Sequence, residues 1–330
     1  MSVVLLIIGL LIILVAMVDL IVTTLTMEGA GPVSNPVSHF MWRWFRPQGR
    51  SSGARRRIMS GPAVLVVMIL FWVVCIWVGW VLVFSWQGIT LVNAQSGLPS
   101  TLAERIYYTG YTITTVGYGD FKALDTRGQF ASAIAGFNGL FLLTLAITYS
   151  IQVLTAVVEN RRLALMIDAM EQIRFSVQQS AQCDKESVEF ISGHLASLDM
   201  AVAGAAQKYL AYPVIQAFSE RSARVCLPVN IQRLTTFLTR VLANRQAYPL
   251  KVIAQCQVSL TLVRALAVNA ITSHWSSLIR DKRIRDALNE DMAMLRRGVH
   301  AQSFETVLAV YVESSGWGAL DGVFPDASYD

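Results

Sequence analysis

Three long apolar runs, each bounded by polar residues, dominate the first half of the chain. They cover residues 3–26, 62–86 and about 129–158. Each is long enough to cross a bilayer, which takes about 20 helical residues. A cleaved signal peptide would have a basic start and a shorter apolar core, whereas the first run has neither and carries Asp19. The pattern predicts three retained membrane helices.

Asp19 itself is costly in hydrocarbon, so it should either face protein or lie near the inner interface as an interfacial carboxylate. A polar stretch, residues 87–100, follows the second run. Thr101 and Glu104 then have the spacing of a capping box, which predicts a helix from residue 101 to about Ile113. A second capping box, formed by Thr126 and Gln129, would begin the third membrane helix.

The segment between the short helix and the third run has the most distinctive sequence motif of the chain. It reads Thr-Thr-Val-Gly-Tyr-Gly-Asp, residues 114–120. A dehydrated cation needs a cage of oxygens, and backbone carbonyls provide one if successive carbonyls point the same way. Such a strand alternates conformations that L-residues resist, and Gly117 and Gly119 remove that resistance. A glycine turn between two strands of a soluble domain is the alternative.

This segment resembles the selectivity filter of potassium channels, in the pattern Thr-x-x-Thr-x-Gly-Tyr-Gly-Asp at residues 112–120. The resemblance extends over residues 62 to about 158 and does not include the first apolar run. It implies an outer helix, a pore helix, a filter and an inner helix. The predicted fold class is therefore an all-α membrane protein, with one extra N-terminal helix and an all-α cytoplasmic domain.

The resemblance also implies roles for individual residues. K⁺ would bind to the backbone carbonyls of four filter residues: Thr115, Val116, Gly117 and Tyr118. The Thr115 hydroxyl would add a further oxygen, and Gly119 completes the filter. The side chains of Val116 and Tyr118 would point outward and wedge the strand in place. In similar channels the carboxylate that corresponds to Asp120 is tied to the pore helix. Tyr107 and Tyr111 could donate to it through their hydroxyls, or could only pack.

A hinge and a gate are implied on the third helix. Gly139 lies where the family often places its inner-helix hinge, although it could equally permit close helix packing. Ile147 and Ile151 share a face with Leu143 and would lie near an apolar constriction. That face would line the pore or else contact the second helix. The family's usual proline after the filter is replaced by Ala123, which leaves the filter residues intact.

The second half of the chain shows helical spacing with shorter apolar faces. We expect helices over 163–177, 188–198 and 231–242, and another opened by Pro213. Residues 252–271 are apolar enough to suggest a fourth crossing, but they include Gln255, Arg264 and Asn269, so a buried core helix is predicted. A charged helix over 281–297, an apolar one over 304–312 and a loose tail from Ser314 complete the prediction.

Composition and charge predict the orientation of the chain in the membrane and exclude some functions. Hydrophobic residues make up 54% of the chain and charged ones 15%, and the net charge of +5 is too small and dispersed to indicate nucleic-acid binding. Six arginines against one acid in residues 27–60 favour a cytoplasmic linker. The N-terminus would then lie outside a cell membrane and the C-terminal half in the cytoplasm. Aromatic and arginine residues in the linker would contact lipid headgroups.

The predicted domains are an N-terminal helix (1–26), a basic linker (27–60), a pore module (61–160) and a helical cytoplasmic domain (161–330). Four copies would be needed, because one filter strand cannot encircle an ion. The implied function is a homotetrameric potassium channel, with K⁺ as permeant ion, no other cofactor, no enzymatic activity and an unknown gating ligand or protein. A nonselective cation channel and a membrane-anchored helical scaffold with a vestigial pore are the alternatives.

Overall fold

The computed structural model describes residues 2–26, 29, 31–37, 40, 54–178, 184–220, 222–275, 308 and 311–312. Helices dominate these residues, and two short strands and three 3₁₀ segments separate some of them. The α-helices are α1 (Ser2–Leu25), α2 (Ala54–Phe84), α3 (Leu102–Ile113), α4 (Thr126–Gln178), α5 (Asp184–Ala211), α6 (Leu227–Ala243) and α7 (Leu250–Trp275). The fold is that of an all-α membrane protein, as predicted.

Two compact units divide the chain. The first comprises Met1–Met41 and Ala63–Gln152, and the second comprises Trp42–Pro62 and Val153–Asp330. The first unit contains α1, most of α2, the short helix α3 and the first half of α4. The second contains the remainder of α4 with α5, α6 and α7.

Close backbone contact joins α1 to α2 in the first unit. A Cβ atom added at Gly9 would lie 2.6 Å from the carbonyl oxygen of Gly79, and one added at Gly79 would lie 2.6 Å from the side chain of Ile13. Small residues permit such approach between membrane helices. Helix α1 is therefore packed directly on α2.

A two-stranded antiparallel sheet, which the sequence did not predict, closes the loop region of this unit. Strand β1 (Leu91–Asn93) pairs with β2 (Phe121–Ala123), with Val92 opposite Lys122. The sheet connects the polar stretch after α2 to the segment that follows the filter sequence.

In the second unit α5 packs along α7, and their facing apolar residues are buried, including Leu195, Leu198, Val263 and Leu266. Polar groups of α7 are satisfied by α5: Gln255 donates to Asp199 at 2.7 Å, and Asn269 donates to the carbonyl of Ala206 at 3.1 Å. These contacts are those of a core helix. By length and composition α7 is nevertheless one of four described helices that could cross a membrane, together with α1, α2 and α4.

Helix α6 contributes the remaining part of this core. Its predicted apolar face is buried, as the spacing indicated: Leu234, Phe237, Leu238 and Val241. Arg233 of α6 donates to Asp168 of α4 at 3.0 Å. Pro213 begins a short 3₁₀ helix, Pro213–Ala217. The charged helix predicted at 281–297 and the tail from Ser314 lie outside the described residues.

Candidate functional site

The short helix α3 is held between α2 and α4 by polar contacts at several levels. Arg105 donates to the carbonyl of Phe84 at 2.8 Å, and Trp77 of α2 donates to the carbonyl of Ile106 at 3.1 Å. On the other side the hydroxyls of Tyr108 and Ser132 of α4 lie 2.5 Å apart. The helix is therefore fixed against both long neighbours.

Both ends of α3 agree with the prediction. The capping box is formed, since the Thr101 N–H donates to the Glu104 carboxylate at 2.7 Å and the Glu104 N–H donates to the Thr101 hydroxyl. The helix ends at Ile113. Its last carbonyls tie down the next segment, because the N–H groups of Val116 and Gly117 both donate to the carbonyl of Tyr111, at 2.9 and 3.3 Å.

The sign of the backbone angle φ alternates along residues 115–119. Thr115, Gly117 and Gly119 have φ of 59°, 58° and 81°, whereas Val116 and Tyr118 have negative φ. Alternation of left- and right-handed residues turns successive N–H groups to one side of the strand and successive carbonyls to the other. The positive φ of Thr115 costs of order 1–3 kcal/mol, since its side chain is β-branched. Such strain is found at functional sites more often than elsewhere.

Aromatic contacts place the Tyr118 side chain against α3. Its ring stacks on Tyr107, with centroids 6.2 Å apart and planes at 8°, and meets Tyr111 edge-on at 5.8 Å. The side chain is nevertheless 68% exposed in the single chain. On another side, Thr115, Gly117 and Gly119 border an open cleft against α4, which also reaches Gly136.

The acidic residue after the filter sequence lies close to the two tyrosines. The hydroxyl of Tyr111 donates to the carbonyl of Phe121 at 3.1 Å. The Oδ1 atom of Asp120 is buried, with no hydrogen-bond partner within the described part of the chain. Both tyrosines are near enough to Asp120 to feel its charge. A direct bond from either hydroxyl to this carboxylate stays a prediction.

The outer end of α4 is capped by Asp125, one residue before the capping box that the sequence suggested. Its carboxylate accepts the N–H groups of Thr90 at 2.7 Å and Gly128 at 2.8 Å. Partial burial raises the pKa of this carboxyl, but these hydrogen bonds and the charge of Arg127 more than offset it, so the pKa lies below its usual value. The expected cap by Thr126 and Gln129 is wrong, because the Asp125 carboxylate caps the first turn through the N–H of Gly128. The same carboxylate binds the N–H of Thr90, the residue before β1.

Gly139 makes a close contact with the end of α3. A Cβ atom built on it would overlap the carbonyl group of Ile113, whereas one built on Gly136 would lie 3.5 Å from the carbonyl of Thr112. Close packing, one of the two explanations offered for Gly139, is therefore present. Helix α4 is continuous through this residue. The hinge role stays a prediction.

The residues proposed for a gate lie apart from the filter. Leu143, Ile147 and Ile151 are 52–58% exposed on one side of α4. The side of α4 that is buried within the chain carries Leu142, Ala146 and Tyr149. Within the chain, the Ile147 face is therefore not the one that contacts the second helix, since Tyr149 on the buried side meets Trp72 of α2. That the Ile147 face lines the pore stays a prediction.

Asp19 forms a hydrogen-bonded centre whose partners the sequence did not reveal. Its side chain is fully buried and accepts from the N–H groups of Val33 and Ser34 at 2.7 and 2.9 Å, and from the indole of Trp72 at 2.9 Å. The hydroxyl of Ser34 donates to the same carboxylate. Of the two expected positions, facing protein is the one observed. The carboxylate joins α1, residues 31–34 and α2.

Comparisons with known proteins agree with this geometry. Residues 65–156 match a family model described as an ion channel. The chain is 35% identical over 159 residues to an uncharacterized membrane protein, YdjJ, of Bacillus subtilis. That alignment covers 47% of this chain and 46% of the relative, so the chain spans about half the length of the curated relative it matches. No solved structure matches the chain. Together, the matched residues and the helices and filter segment within them support an ion channel in a membrane protein.

Proposed function

We propose that the chain forms a homotetrameric, potassium-selective channel. The observation that carries the proposal is the alternation of φ at Thr115, Gly117 and Gly119. It turns successive carbonyls of residues 115–118 to one side of the strand, where they replace the water around a dehydrated K⁺ ion. The Thr115 hydroxyl adds a further oxygen at the inner end.

Rigid support is what allows such carbonyls to keep their positions without an ion. The Tyr111 carbonyl accepts two N–H groups from the start of the strand. The rings of Tyr107 and Tyr118 stack, which holds the outer half against α3. Both contacts favour a preformed ion site over an ordinary loop.

Four copies complete the site, because one strand supplies carbonyls on only one side of an ion. The apolar face of α4 that is exposed in the single chain supports this assembly: Phe137, Leu140, Leu143, Ile147 and Ile151. In the tetramer this face turns toward the axis and the neighbouring chains. Ile147 and Ile151 then form apolar rings below the filter, which close the pore by dewetting.

The remaining assignments follow from the arginine-rich linker. The N-terminus lies outside a cell membrane, the linker contacts lipid headgroups, and the second unit lies in the cytoplasm. Helix α4 contributes residues to both units, so a rearrangement of the cytoplasmic unit changes the position of the inner end of the pore. Gating through this unit is part of the proposal.

Ion flux in liposomes tests the proposal. Purified full-length protein should conduct K⁺ under a K⁺ gradient and pass far less Na⁺ under a matched Na⁺ gradient. Equal fluxes would indicate a nonselective channel, and no flux of either ion would indicate a helical scaffold. Chemical cross-linking of the purified protein should stop at four chains.

A further inference from the structure

A partly open cavity lies inside the second unit, beside the part of α4 that belongs to it. It is bounded by α4, by residues 215–220 and by the start of α6, with Tyr311 on a further side. Its volume is about 50 Å³. About 10–15 Å³ of such space is enough for one water, whereas benzene occupies a cavity of about 150 Å³. The cavity therefore has room for about three to five waters or for one molecule of that total size, such as acetamide.

Asn160 of α4 lines this cavity and is the least satisfied polar side chain beside it. It is 6% exposed, and neither its Nδ2 nor its Oδ1 has a hydrogen-bond partner among the described residues. Because none of the described protein groups bonds to it, this amide can bond to whatever occupies the cavity.

The rest of the lining divides into polar and apolar parts. Arg161 pairs with Glu220 at 2.7 Å, so the charges beside the cavity are balanced. The hydroxyls of Tyr209 and Tyr311 lie 3.3 Å apart. Burial raises the pKa of Tyr209 to about 12 and that of Tyr311 well above its usual value, which keeps both hydroxyls protonated. Val157, Ile215 and Leu227 provide apolar walls.

We propose that this cavity binds a small uncharged molecule that carries a hydrogen-bond donor and acceptor side by side, as a carboxamide does. The Asn160 amide offers the complementary pair, with Nδ2 as donor and Oδ1 as acceptor. Balanced charge beside the cavity disfavours an ion, and the apolar walls accommodate a compact carbon skeleton. Binding itself does not depend on potassium conduction. An effect of the molecule on channel opening does rest on the proposed function, since Asn160 lies on α4.

Equilibrium dialysis of the full-length protein in lipid nanodiscs tests the site, with acetamide as the probe. Acetamide should bind saturably at one molecule per chain. Acetone, which has the same shape but a methyl group in place of the amino group, should bind at least about tenfold more weakly, or about 1.4 kcal/mol. Failure of acetamide to saturate, or equal binding of the two probes, would overturn the proposal.

Two leucine variants identify the residue responsible. Asn160→Leu should lose the preference for acetamide, because it removes the paired donor and acceptor from the cavity. Asn269→Leu is the matched control: it removes an amide that is bonded to Ala206 and lies outside the cavity lining, so it should keep the preference. If Asn160→Leu keeps the preference, Asn160 does not bind the probe and the proposal is wrong. Asn160→Ala, which only enlarges the cavity, should lose the preference as well.

None of these measurements uses an ion gradient, so they separate the two proposals. Loss of potassium flux with intact acetamide binding would contradict the proposed function alone. Absence of acetamide binding in a conducting protein would contradict the cavity site alone.

Discussion

At the scale of single residues, backbone conformation decides what the filter segment can do. Gly117 and Gly119 have positive φ, and a Cβ atom added at either would meet nothing within 4 Å. The cost of a side chain there is therefore conformational and not steric, about 1–2 kcal/mol for a left-handed residue. Thr115 already carries such a cost, which the structure around it has to offset.

Alanine at Gly117 or Gly119 should abolish potassium selectivity, because the strand relaxes by turning a carbonyl away from the ion. The measurement is the reversal potential under potassium and sodium gradients. Gly97→Ala is the matched control, since Gly97 has φ of 69° with nothing near its Cβ position but lies outside the filter. Unchanged reversal potentials in both filter variants would contradict the assigned role of residues 115–118.

At the scale of elements, two close contacts fix the helices around the filter. Gly139 brings α4 against the last carbonyls of α3, and Asp19 joins α1 to α2 and to residues 31–34. The ring of Trp72 also meets Tyr149 of α4 edge-on, with centroids 6.2 Å apart. The N-terminal helix therefore has a path of direct contacts to the inner helix.

Gly139→Ala should displace the end of α3 and lower stability by about 1–3 kcal/mol, the usual cost of overpacking. The same substitution at Gly136 should be tolerated, because its Cβ position is at an ordinary contact distance. Thermal unfolding of the tetramer and potassium selectivity are the measurements. If the two variants are equally stable, the contact with Ile113 does not constrain the helix pair.

Asp19→Ala should destabilise the first unit, because it leaves the N–H groups of Val33 and Ser34 and the indole of Trp72 without their acceptor. Each such group costs about 1–3 kcal/mol when it stays buried. Amide hydrogen exchange should accelerate at Val33 and Ser34. Thr24→Ala is the control, since the Thr24 hydroxyl bonds only to the carbonyl of Leu20 in its own helix. Exchange that is equally slow in both variants would show that Asp19 does not hold this segment.

At the scale of the whole molecule, helix α4 extends for 53 residues and contributes to both units. Its part in the second unit buries Leu163, Ala164 and Ile167. The core of the second unit is thus partly built from α4, the helix that also contributes to the first unit.

Truncation after Val177 should leave tetramers that conduct with an altered open probability. Because the cut uncovers Leu163 and Ile167, the truncated chain should also carry glutamine at both positions, and the full-length double variant is the control. Single-channel recording measures the open probability. An unchanged open probability would contradict regulation by this unit, and loss of tetramers would show that its main contribution is assembly.

Local pattern determined a large part of this protein without any structure. Apolar length predicted α1, α2 and α4, because a bilayer core sets the length of a crossing helix. The Thr101 capping box predicted the start of α3, and the paired glycines at Gly117 and Gly119 predicted the positive φ values. These features depend on residues that are near one another in sequence, so local sequence patterns are sufficient to predict them.

Contacts between distant residues were decided only by the tertiary structure. The bonds from Asp19 to residues 33, 34 and 72, the pairing of β1 with β2 and the contact of Gly139 with Ile113 join positions that no local period connects. The second bond to the Asp125 carboxylate comes from Thr90, which lies 35 residues away. The sequence also could not predict that the Asn160 amide has no bonding partner among the described residues. Whether a side chain finds hydrogen-bond partners depends on every element that packs around it.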